Sequence, residues 1–130
     1  MNYKLPKSER LHAEKEIKEL FNEGSSFFLY PFKVQFFVKK GVVDGTPKVL
    51  FSVSKKKIKK AVNRNFIKRR MKEAYRLNKQ LISSLEINGL TLGLIFVGSV
   101  KMGFHEVETK IIQILKRLVK ELNSNIPDHE

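Results

Sequence analysis

Residues 51–76 read FSVSKKKIKKAVNRNFIKRRMKEAYR, and their centre, KKAVNRNFIKRR at residues 59–70, holds six cationic side chains in twelve positions. A disordered basic tail and a folded helix with one charged face both produce such density. Helical phase separates the two readings. At 100° per residue from Ala61, Ile67, Met71, Ala74, Leu77, Leu81 and Leu85 fall within an arc of roughly 120°. Arg64, Asn65, Lys68, Arg69, Lys72, Arg76 and Lys79 fall on the opposite arc, and Arg70 lies at the apolar edge, where its stem can snorkel. A disordered tract has no reason to sort its charges this way, so residues 60–85 are expected to form a helix packed on one side.

The charge balance sharpens this. The 130-residue chain has a formal net charge of +13. Residues 55–76 contain eleven Lys or Arg against the single acid Glu73, so one segment holds most of the excess. That is the electrostatic footprint of a binder of nucleic acid or another polyanion. The chain is 42% hydrophobic with ten Phe, which favours one folded domain over residues 1–130, frayed at 1–7 and 124–130. It has no cysteine, hence no disulfide or thiolate metal site. No apolar run of membrane-spanning length occurs, and residues 1–16 have no secretory h-region, so an intracellular, cytoplasmic protein without a membrane partner is expected.

Outward from the basic segment, Leu11, Ala13, Ile17, Leu20 and Phe21 are spaced for a first helix after Pro6 and Ser8, with Gly24 as its stop. The period then changes. Phe32, Val34, Phe36 and Val38 alternate with Lys33, Gln35, Phe37 and Lys39, which is strand spacing, and Pro31 marks an edge or a break. Asp44-Gly45 is the expected reversal before a second strand over residues 48–54. Asn88-Gly89 ends the basic helix. TLGLIFV at residues 91–97 has the continuous apolar character of a strand buried on both faces. Val107, Ile111, Ile114, Leu115, Leu118 and Leu122 stripe a final helix over residues 105–122. The order predicts an α/β (α+β) sandwich of one sheet and packed helices.

The chemistry-bearing residues are those of a binder. His12, His105 and His129 have no partners at metal-ligand spacing, and there is no Walker loop, G-x-S-x-G elbow or paired acidic cluster. The basic helix, in contrast, presents Lys60, Arg64, Lys68, Lys72 and Arg76 as an i, i+4 row that Asn65 and Arg69 widen, suited to successive phosphates. Lys55, Lys56, Lys57 and Lys59 extend it into the preceding loop. A structural RNA-binding protein of ribosomal type and the subunit of an RNA-processing enzyme both fit this pattern.

In order, Ser52-Val53-Ser54-Lys55-Lys56, Ala61-Val62-Asn63-Arg64-Asn65, Ile67-Lys68-Arg69, Lys72-Glu73 and Arg76 resemble the signature of the protein component of bacterial ribonuclease P. Leu20-Phe21-Asn22-Glu23-Gly24 resembles that family's first helix. Three positions depart from the pattern: Phe66 stands where many relatives carry a second Arg, Lys59 stands where Gly is frequent, and Lys72 replaces an Arg. The resemblance implies a mixed sheet of about four strands with a left-handed β-α-β crossover. It implies an endoribonuclease whose catalysis, with its Mg²⁺, resides in a catalytic RNA partner, with no catalytic residue in this chain and no obligate protein partner. It also implies that a cleft between the first helix and the sheet holds the 5′ leader of precursor tRNA. Ile17, Phe21, Lys33, Gln35 and Phe37 are the positions it indicates.

Overall fold

The computed structural model describes residues 5–42, 45–83, 85 and 87–124. Its elements are a 3₁₀ turn (Lys7–Glu9), α1 (Glu14–Glu23), β1 (Ser25–Leu29), β2 (Phe32–Val38), β3 (Lys48–Val53), α2 (Ala61–Asn78), a short α3 (Gln80–Ser83), β4 (Leu90–Phe96) and α4 (Phe104–Ser124). The four strands form one sheet in the order β1-β2-β4-β3. β1–β2 and β2–β4 are antiparallel, whereas β3 and β4 are parallel neighbours joined through α2.

Alternation along the strands assigns each face its cover. Val34, Phe36, Phe51, Leu92, Leu94 and Phe96 point into a core shared with Ile67, Met71, Ala74 and Tyr75 of α2 and with the α4 stripe. Phe32 meets Phe96 edge-on at 5.5 Å between ring centroids, and Phe51 meets Tyr75 at 5.8 Å. Burial among these groups pushes the Tyr75 hydroxyl pKa upward, and the Glu9 carboxylate adds to the effect. Gln35, Gly93 and Leu50 face the other way, towards α1.

The structure redraws three expectations and bears out the break expected at Pro31. Leu11 is buried but outside the first helix: its N–H donates to Val49 O at 2.8 Å, and Arg10 forms a parallel bridge with Val49. The segment before α1 thus lies along β3, and Lys79 Nζ ties it to α2 through Glu9 at 2.8 Å. Pro31, after a cis peptide bond, splits the extended stretch into the β1–β2 hairpin. The 60–85 helix breaks at Lys79, because Asn78 turns its amide back to donate to Ala74 O (2.8 Å) and to Glu108 of α4 (3.0 Å). β4 is fully enclosed on one face, while on the other α1 covers Gly93 but not the whole strand. Thr91 and Ile95 are half-buried, since ten-residue α1 covers too little of the sheet.

Two glycines set the edges of this arrangement. Gly89 adopts φ +83°, where a side chain would be strained, and its carbonyl accepts from Lys39 N–H at 3.0 Å. Gly24 is needed for close approach: a Cβ there would lie 2.6 Å from Phe36 O and also against Leu20 O. Asp44, named for the expected reversal, lies outside the described residues, as do most of the terminal residues expected to fray. Among the described residues no helix is long and apolar enough to cross a membrane.

Candidate nucleic-acid interface

β3 leads into the basic loop under tight backbone control. Ser54 N–H donates to Phe96 O at 2.9 Å, and Ile58 N–H donates to Ser54 O at 3.0 Å. Ile58 is buried, while Lys55, Lys56, Lys57, Lys59 and Lys60 are exposed. One apolar anchor therefore turns five ammonium groups outward. Arg64 completes the turn from α2: its Nη1 donates to Ile58 O (2.9 Å) and Lys59 O (2.6 Å). The loop ends at the N-terminus of α2, whose first turn contains no acid. Cations at the positive end of a helix dipole repel it, and an anion there relieves both.

The remaining sequence-derived positions divide by partner. Asn65 and Arg69 are exposed beside the loop. Arg76 is paired within the helix, donating to Glu73 at 2.6 and 3.1 Å, which holds the Glu73 carboxyl below its ordinary pKa. Lys68 and Lys72 are half-buried and turn towards the N-terminal segment. There they join Lys7, Arg10 and His12 around a cavity of about 250 Å³ floored by Val49, Leu50 and Phe51. Among the described residues no carboxylate lines it, and Arg10 Nε is buried without an acceptor. Burial, then the charges of Arg10 and Lys68, pull the Lys72 pKa down. Such a set of unneutralised cations fits an oxyanion. Sequence reading missed Lys7, Arg10 and His12 because it left residues 1–7 as frayed and began a helix at Leu11; the contact with β3 is not written in local spacing.

On the opposite sheet face, Lys33, Gln35 and Phe37 of β2 share a side with α1. Phe21 is 42% exposed, Ile17 and Phe37 are half-buried, and Lys33 is exposed, so all four keep accessible surface where the cleft between α1 and the sheet is expected. Gln35 does not belong to the cleft surface. It is 6% exposed under the end of α1, and its Nε2 donates to Leu20 O at 3.3 Å. It packs there because Gly93, its partner on β4, leaves room for Leu20: a Cβ on Gly93 would lie 3.3 Å from Leu20 Cδ2. Phe28, Leu50, Ser52, Thr91 and Ile95 lie on the same face, and the sequence did not single them out.

The model of the Ribonuclease P family matches residues 5–120, spanning the N-terminal segment, the basic loop, α2, the cleft and most of α4. The chain belongs to the ribonuclease P protein family. A ribonuclease P protein component from Porphyromonas gingivalis is 42% identical over 81 residues, which are 62% of this chain and 59% of that relative's length. One from Citrifermentans bemidjiense is 39% identical over 119 residues, 89% of this chain and 93% of the relative. The RNase P protein of Thermotoga maritima superposes with a TM-score of 0.67 at 27% identity, covering 84% of this chain and 96% of that one. The Staphylococcus aureus protein has the same fold at a TM-score of 0.71 and 23% identity, over 86% of this chain and 96% of that one.

Proposed function

We propose that the chain is the RNA-binding protein subunit of ribonuclease P in the cytoplasm, assisting removal of the 5′ leader from precursor tRNA. The supporting observation is the set of cations that runs from exposed Lys55, Lys56, Lys57, Lys59 and Lys60 past exposed Arg69, with Asn65 beside them, to the half-buried Lys68 and Lys72 at the cavity. Each phosphate they neutralise releases condensed counterions, which draws two polyanions, the catalytic RNA and the precursor, onto one small basic surface. In the cleft, Phe21 and Phe37 give stacking surfaces for unpaired leader nucleotides, and Lys33 gives a phosphate contact. Ile17 adds apolar lining, while Gln35 acts from below by holding α1.

Catalysis belongs to the RNA partner in this reading. Among the described residues no three His, Asp or Glu side chains converge as metal ligands. In this reading the RNA also holds the Mg²⁺ that hydrolysis requires, and this chain contributes binding and orientation. Reconstitution with the RNase P RNA of the same organism tests the proposal. The protein should lower the Mg²⁺ needed for cleavage and tighten binding of leader-bearing precursor relative to mature tRNA. Neither effect, together with co-purification on ribosomal subunits, would assign it instead as a structural RNA-binding protein. Cleavage by rigorously RNA-free protein would overturn the division of labour.

A further inference from the structure

Phe66 interrupts the cationic row in sequence, yet in space it gathers charge. Arg70 Cζ lies 3.6 Å from its ring centroid, and Lys101 Nζ lies 4.7 Å from it. Phe66 itself is partly buried and packed against the core, so the ring is a fixed platform. The cations come from different elements, Arg70 from α2 and Lys101 from the connection between β4 and α4. Phe66 and Arg70 each precede Lys68 and Lys72 by two residues, about 200° around the helix. The cluster is therefore on the other flank of α2 from the Lys68–Lys72 cavity.

Two cations over one ring lie within about 8 Å of each other and repel. The ring's quadrupole attracts both but neutralises neither. No carboxylate pairs with either among the described residues; Glu73, the one acid on this part of α2, is held by Arg76. Arg70 Nε is buried with no acceptor, and stacking engages the face of the guanidinium rather than its edge donors. Lys101 is exposed, and its ammonium lies over the same ring as the Arg70 guanidinium.

We infer that Arg70 and Lys101, gathered on Phe66, form a binding site for an RNA phosphate that extends the interface across α2 onto the β4–α4 connection. The inference rests on the RNA-binding reading above. Phe66 is a positioning residue: it replaces one direct cation with an aromatic seat for two. A phosphate between them accepts from both, and the ring's apolar contact with the core holds the seat in place.

The test is titration of the protein with transcribed RNase P RNA of the same organism over a salt series. The variants are Lys101→Ala, Phe66→Leu, Phe66→Tyr and the Lys101→Ala/Phe66→Leu pair. Lys101→Ala should lose several-fold affinity and flatten the log–log salt slope by about one. Phe66→Leu, which keeps apolar packing but removes the quadrupole, should lose affinity similarly, with the pair no worse than Phe66→Leu alone. Phe66→Tyr should resemble the parent. Parent-like slope and affinity in Lys101→Ala, or losses that multiply in the pair, would overturn the inference while leaving parent binding intact. A parent that does not bind this RNA overturns the functional reading and the inference together. Melting curves monitor folding, and exposed Lys101 keeps one arm decisive even if Phe66→Leu is unstable.

Discussion

The guanidinium of Arg64 turns inward on the loop that precedes it, so its value to RNA binding is indirect as well as electrostatic. Arg64→Lys keeps the charge but loses the fork to Ile58 O and Lys59 O. Amide hydrogen exchange over residues 55–60 should accelerate, and RNA affinity should fall although net charge is unchanged; unaltered exchange would mean the loop is held by Ile58 alone. Lys72 presents the converse. Its charged form is disfavoured in the folded chain, so folding bears a penalty at neutral pH that fades as pH rises through the depressed value towards 10.5. Lys72→Met should therefore stabilise the free protein by at most about 1 kcal/mol while weakening RNA binding. Its advantage in melting temperature over the parent should shrink between pH 7 and pH 10.

At the scale of elements, the cleft depends on how closely α1 lies on β2 and β4. Gly24 and Gly93 provide that closeness and Gln35 fastens it. Gly24→Ala places a methyl group against Phe36 O and Leu20 O, so it should destabilise the chain by about 1–3 kcal/mol. Denaturant unfolding measures that loss. Discrimination between leader-bearing and leaderless substrate should decline more than affinity for the catalytic RNA, because the basic loop is carried by β3 and α2 instead. Equal losses for both ligands would argue that α1 and the loop act as one unit.

For the whole molecule, the same charges act in opposite directions on folding and on binding. Raising salt from about 50 mM to about 500 mM screens self-repulsion in a +13 chain and should raise its melting temperature. RNA affinity should fall steeply over that range. A melting temperature that falls with salt would show that attractive ion pairs such as Lys79–Glu9 dominate the free protein. What the sequence made legible follows the same division between local and non-local physics. α2 and α4 declare themselves because an amphipathic helix writes its packing face into its own spacing. The bridge between Arg10 and Val49 joins residues far apart in the chain, and no local period records it. Gln35 reads as a surface residue from alternation alone, because its burial depends on the absent side chain of Gly93. The partial exposure of Thr91 and Ile95 was hidden because an apolar run reports hydrophobicity, not the length of the helix available to cover it.

The N-terminal segment has a further consequence through its place beside β3. β3 is an outer strand, and residues Val49–Phe51 would otherwise offer free backbone donors and acceptors to a second molecule. The hydrogen bond from Leu11, the Arg10 bridge and the Glu9 tether close part of that rim, with positive charges set along it. A piece of chain with a single 3₁₀ turn thereby acts as a guard against strand-to-strand polymerisation. Fraying it would change not only what the protein binds but whether its sheet edge begins to template aggregation.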